Sequence, residues 1–375
     1  MKLLLFCPLI VWMTSSVLFA TEGEPIAVRS WPQGVVSIEN QWGLQLAVVP
    51  SASGEFASPE NVDHVVAVGG DSLDHVLSRL PNEAEVRWSE AADAPKLDPN
   101  AISVRSIDDH TLRIDVDGVC VVVVSGDGTG TFMATEADKR DVDVLVLSNV
   151  AAGKINSDPI KMLVQSWHPM FVLPLAIAEG ETENPKRATT NTFAVAATDV
   201  PSGKPTAVLI SQTPWEMPGD LADLFEKMEQ ACSESQDVFA ELSVEQLNFK
   251  PANGTHTPRW NVEHMMGRQL QFFSQIYHAV DPTIPVMNLN PKQMPPDYEF
   301  AHPDWDGAEE ARQMQRVSEF CRRFAYLLDG MDVNAKVPGS RWPSLRSLLI
   351  QMQRHYGEHT ANTVKKFELP GWPQS

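Results

Sequence analysis

Residues 343–367 read PSLRSLLIQMQRHYGEHTANTVKKF. Leu345, Leu348, Met352, His355, His359 and Asn362 follow one another at spacings of 3, 4, 3, 4 and 3 residues. That repeat is one stripe of an α-helix facing the interior of a bundle. The stripe starts apolar and ends in imidazole, imidazole and amide. A buried polar group without a partner costs roughly 1–3 kcal/mol, so these side chains require partners. Histidines four apart on a helix can offer two nitrogens to one ion and then need one more ligand from a neighbouring helix. Hydrogen bonds to nearby backbone or carboxylates, or a bundle end open to water, are the alternative.

Three segments upstream share the helical rhythm. One runs from Asp220, a capping residue, to about Leu242; a second from about Trp260 to Val280; a third from about Gly307 to Leu328. With the helix of residues 343–367 they make an all-α four-helix bundle. The long Pro-rich second connection, DPTIPVMNLNPKQMPPDYEFAHPDW (281–305), suits a crossover rather than a simple up-and-down order.

The run His355-Tyr-Gly-Glu358-His359 also fits the H-x-x-E-H signature of inverted zinc proteases, in which Glu358 would be the general base. A protease of that type needs a carboxylate ligand well downstream. Only 16 residues follow His359, and Glu368 is the sole acid among them. A better match comes from ELSVEQLNFKPANGTHTPRWNVEHMMGRQ (241–269) together with HYGEHTANTVKKF (355–367). These resemble the passage into the second helix, and the fourth helix, of the DinB-like (DinB/YfiT) four-helix-bundle metalloenzymes. That family carries one histidine early in the second helix and an H-x-x-x-H pair in the fourth, with Gln in many members where this chain has Asn362. The resemblance implies a divalent ion, zinc or nickel, held by His264, His355 and His359, with further positions open to water or substrate. It also implies thiol-dependent transfer or isomerisation as known chemistries, which an exported protein is poorly placed to use. Helical periodicity alone puts His264 on the surface, because Val262, Met265, Met266, Phe273 and Ile276 centre more than a quarter turn away. Glu263 and Glu358 are candidates to orient a ligand or act as a base, weighed against ordinary solvated positions. His64, His75, His110, His168, His256, His278 and His302 have no ligand spacing and read as loop or surface residues.

Between Val35 and Gln212 the rhythm is different. Short β-branched runs such as HVVAV, TLRIDV, VCVVVVS and DVDVLVLS alternate with Gly, Asp and Asn, which marks strands. Asp117-Gly118 between two alternating runs is a hairpin turn. DSLDHVLSRL (71–80) and DPIKMLVQSW (158–167) read as short helices. The expected organisation is therefore a mixed α/β domain over 21–215 and a helical domain over 220–372. The stretch from SVRSIDDHTL to LAIAEGE weakly resembles a degenerate, β-rich metallo-β-lactamase-like sandwich, with Gly126-Asp127 at its Gly-Asp turn. The family's H-x-H-x-D-H cluster is missing, and Asn149 and Val150 stand where a metal-binding start is expected. Such a domain would bind, shield or form a homodimer rather than catalyse.

The first 20 residues, with Lys2, an apolar run from Leu3 and small residues near Ala20, read as a cleaved signal peptide for a secreted or periplasmic protein. No later segment is apolar enough to cross a bilayer, so stable membrane insertion is not expected. Cys120, Cys232 and Cys321 follow Cys7, an odd number that argues against a disulfide framework, although a Cys232–Cys321 bridge stays open. A formal net charge of −20 repels phosphate backbones and excludes a nucleic-acid binder. Two functions remain: a metal-dependent hydrolase or transferase of an unknown small molecule, and a non-catalytic exported binding protein whose metal is structural or absent.

Overall fold

The computed structural model describes residues 24–50, 62–68, 102–108, 110–125, 142–148, 157–175, 186–197, 205–211, 213–288 and 301–374. The signal segment, the 71–80 helix, the Gly126-Asp127 turn, Asn149-Val150 and the middle of the Pro-rich linker lie outside the described residues.

The β-branched runs form two sheets. Ile26–Ser30 (β1), Val36–Glu39 (β2), Gln45–Pro50 (β3) and His64–Val68 (β4) share a five-stranded sheet with Thr192–Val195 (β11), in the order β11-β1-β2-β3-β4. The second sheet holds Ile102–Asp108 (β5), Thr111–Val116 (β6), Val119–Ser125 (β7), Val144–Ser148 (β8), Phe171–Pro174 (β9), Lys186–Arg187 (β10) and Thr206–Leu209 (β12), in the order β10-β12-β9-β8-β7-β6-β5. Asp117 and Gly118 both take positive φ, at 47° and 79°, as the two-residue β6–β7 hairpin demands. Parallel pairing of β8 with β9 requires a crossover, supplied by the helix Asp158–Trp167 (α1).

Strand alternation explains the layers. Ile26, Val28, Ile38 and Val48 of the first sheet pack against Ile114, Val121, Val123 and Val146 of the second. The other face of β7 and β8, with Val122, Val124, Leu145 and Leu147, is covered by Ile160, Leu163 and Trp167 of α1. Both faces being covered is why VCVVVVS is apolar throughout rather than alternating.

The helical half contains Gly219–Ala240 (α2), Pro258–Val280 (α3), Gly307–Arg323 (α4) and Leu345–Val364 (α5), with a single turn at Val244–Leu247 and a 3-10 turn at Ala325–Leu328. Both α2 and α3 pack against α4 and α5, so the first and third connections cross the bundle diagonally. The long second connection joins helices that lie side by side. Part of it returns over α3: Trp305 O and Pro303 O accept from Arg259, whose guanidinium also pairs with Glu310 Oε1 at 2.6 Å. Cys232 and Cys321 are separate buried thiols, so the bridge left open by the sequence is not formed. His64, expected on the surface, is buried in β4.

The two halves meet at the outer face of β1 and β11. Ala27 and Ala194, paired across those strands, join the apolar core of the bundle, their methyl side chains allowing close approach. Beside them α4 places Arg316 2.8 Å from Glu24, and Arg323 3.0 Å from Glu39 and 3.6 Å from Glu24, all buried. Arg29 closes on Glu39 at 2.6 Å from the strand side. Arg323→Ala would leave Glu24 and Glu39 buried with one partner fewer. A loss of about 3 kcal/mol in urea unfolding is the expected outcome. A loss under about 1 kcal/mol would show a pair screened by solvent instead.

Candidate metal centre

The site is assembled at the start of α3 and the second half of α5. Thr257 caps α3, its hydroxyl accepting from Trp260 N at 3.0 Å, and Pro258 occupies the first turn where a missing N–H is harmless. That start point fixes Trp260, Asn261 and His264 in the first two turns. Helix α5 begins with a reciprocal Ser344–Ser347 cap and brings His355 and His359 onto the face opposite them.

The three histidines named from the sequence come together. Ring centroids stand 5.0 Å apart for His264 and His355, 5.2 Å for His264 and His359, and 4.5 Å for His355 and His359. One nitrogen from each lies within 4.8 Å of the others. Among the described residues no Asp, Glu or Cys joins this group.

Burial sets their chemistry. Desolvation lowers His264 and His355 to about 3 and His359 to about 4, and the other rings of the cluster push His264 and His355 further the same way. All three are neutral at ordinary pH, so each keeps a lone pair for a ligand bond. The His359 tautomer follows from its neighbour. Asn261, fully buried, donates through Nδ2 to Thr363 Oγ1 at 3.0 Å, which leaves Oδ1 as the acceptor 2.9 Å from His359 Nδ1. Nδ1 therefore carries the proton and Nε2 is free to bind. Outer hydrogen bonds of this kind orient metal-binding imidazoles. Among the described residues the buried Nδ1 of His355 has no hydrogen-bond partner, the condition expected of a nitrogen awaiting a ligand. The donor set fits a divalent ion.

Several expectations change. His264 is half-buried and faces the other two rings, not solvent; helix α3 is covered on nearly every side because the 301–306 segment wraps it. A wheel that assumes one solvated face fails for such a helix. Asn362 is exposed, and Thr363 takes the inward position, because after His359 the helix brings the fourth residue rather than the third under α3. Glu358 is exposed and pairs with Arg354 at 3.2 Å, so it is no general base. Glu263 is buried, raised to about 7 chiefly by desolvation, and accepts from His302 N at 3.2 Å.

Sequence reasoning missed Asn261, Trp260 and His256. The indole of Trp260 lies between His264 at 4.4 Å and His256 at 3.7 Å, nearly parallel to the former. Asn261 stands three residues before His264, a spacing that shares a helix face and could have signalled it.

The helical half matches the DinB superfamily model over residues 227–362. Within this DinB-like domain lie all three histidines. No curated protein matches the chain. Among solved structures, similarity is found to a metallo-β-lactamase superfamily protein from Thermotoga maritima, 12% identical, with TM-score 0.33, covering 49% of this chain and 98% of that one. The metallo-β-lactamase fold protein YhfI from Bacillus subtilis is 11% identical, with TM-score 0.32, covering 51% and 98%.

Two outcomes follow. Because the imidazoles are already neutral, zinc uptake at pH 6 is expected to release fewer than about one proton per ion in a pH-stat, whereas ordinary histidines near 6.5 would release about two. Asn261→Ala, which frees His359 Nδ1, is expected to weaken zinc binding roughly 10–100-fold in a chelator competition.

Proposed function

We propose that this protein is an exported metal-dependent enzyme, a hydrolase or transferase acting on a small molecule at the three-histidine centre of its DinB-like domain. The observation that carries this reading is the donor set itself: three neutral imidazoles from two helices and no fourth protein ligand among the described residues. Structural zinc sites are closed by four protein ligands, whereas three ligands and an open position are the mark of a catalytic one. Neutral imidazoles suit zinc and nickel.

His264, His355 and His359 would hold a divalent ion, which would supply Lewis acidity near neutral pH. The chain's own residues do the remaining work. His359 is held in one tautomer by Asn261, His264 is kept flat by Trp260, and the surrounding apolar core excludes bulk water from the back of the site. Arg268, one turn beyond His264, is half-buried and acts electrostatically on both His264 and His355. It brings a positive charge to the site and favours a substrate that carries or develops negative charge. Export is supported by residues 1–20. Among the described residues no helix is long and apolar enough to cross a membrane.

The test is metal content and turnover together. Protein purified without a His tag or chelator is expected to carry close to one zinc or nickel per chain, and to lose it in His355→Ala and His359→Ala. Chromogenic ester, amide and phosphoester panels are expected to show an activity that falls at least about 100-fold in both variants. Metal-free wild-type protein refutes the proposal. Stoichiometric metal with no turnover in any panel points to the non-catalytic binding protein instead.

A further inference from the structure

A cleft of about 330 Å³ opens at the end of the bundle beside the metal centre. It lies between the 253–256 loop and the C-terminal end of α5, and its walls include Asn253, Thr255, His256, Asn261, Lys365 and Lys366. Among the described residues no carboxylate lines it. In a chain of formal net charge −20, a concave site with two lysines and no acid is the reverse of the average surface.

Two of its polar groups, on Lys366 and His256, are short of partners among the described residues. Lys366 is 3% exposed, and among the described residues its ammonium makes one hydrogen bond, to Asn362 O at 2.6 Å. Burial, then the neighbouring Lys365, holds its pKa below the usual lysine value; the same two influences would be relieved by an anion. Among the described residues the buried Nδ1 of His256 has no hydrogen-bond partner, and its ring stacks on Trp260. The loop that carries it is rigidly turned: Asn253 Oδ1 accepts from both Thr255 N and Thr255 Oγ1, and Gly254 adopts a φ of 75°. Ammonium and imidazole groups with amide N–H donors lining one cavity form a set that recognises an oxyanion.

We propose that this cleft is a binding site for a phosphate or carboxylate group of a small molecule, distinct from the metal position and separated from it by Trp260 and Asn261. Asn261 belongs to both: it lines the cleft and fixes His359. The binding itself does not depend on the metal reading.

The experiment titrates inorganic phosphate, and acetate in parallel, into the full chain at neutral pH and constant ionic strength, followed by amide and imidazole NMR shifts. Saturable binding is expected in wild type. Binding is expected to weaken roughly tenfold, equivalent to about 1.4 kcal/mol, in Lys365→Gln/Lys366→Gln, and to persist in His355→Ala/His359→Ala. Lys365→Gln alone alters an exposed side chain, keeps the fold, and is expected to weaken binding measurably. The tighter of the two anions names the group. No saturable binding in wild type overturns the proposal. Binding that vanishes with the histidines yet survives loss of the lysines overturns it too, since the anion would then sit at the metal. If the protein takes up no metal while lysine-dependent anion binding persists, the metal reading falls and the cleft stands.

Discussion

One buried amide joins the two helices that build the centre. Asn261 reaches from the first turn of α3 to Thr363 and His359 near the end of α5, donating to the one and accepting from the other. Because the amide is fully buried, both of its partners must stay paired: a flipped orientation would need the Thr363 hydroxyl to donate and the His359 ring proton to move to Nε2, taking away the lone pair left for a ligand. The helices are thereby held in one axial register. A shift by a single residue would separate His264 from the pair on α5.

Around this contact the bundle tolerates unusual polarity. Arg259 is fully buried at the base of α3, yet its donors are taken by Asn248, Glu310 and two carbonyls of the returning 303–305 segment. Glu310 remains raised well above the ordinary carboxylate range, first by burial and next by Glu263. The opposing signs matter for acid stability. Buried neutral histidines lose stability as pH falls below about 6.5, because the unfolded chain takes up protons that the folded one refuses. Glu263 and Glu310, raised in the folded state, act the other way: their protonated forms are favoured in the fold, and their cost appears as pH rises.

The helical rhythm was legible because it depends on spacing that burial enforces: Leu345, Leu348 and Met352 sit in the core as the stripe required. So were the β-branched runs and the Asp117-Gly118 hairpin. His264 was legible only through resemblance, since the wheel counts apolar residues and α3 has few exposed positions in its first half. Asn362 was misplaced because a helix of 3.6 residues per turn leaves the choice between three and four open at each step. His256 carries no spacing rule that singles it out and depends on how a loop and a distant helix end meet, whereas Asn261 shares the helix face of His264 and becomes legible only once that histidine is placed.

The seam between the two halves has a consequence for how the chain can be divided. A cut near residue 215 looks natural from the change in rhythm, but it would separate Arg316 and Arg323 from Glu24 and Glu39. The helical fragment would then present stranded guanidiniums on an otherwise apolar flank, and the strand fragment stranded carboxylates beside Ala27 and Ala194. Each fragment would be charged where it had been packed, so modular reuse of either half by recombination requires the acidic pair and the arginines to travel together.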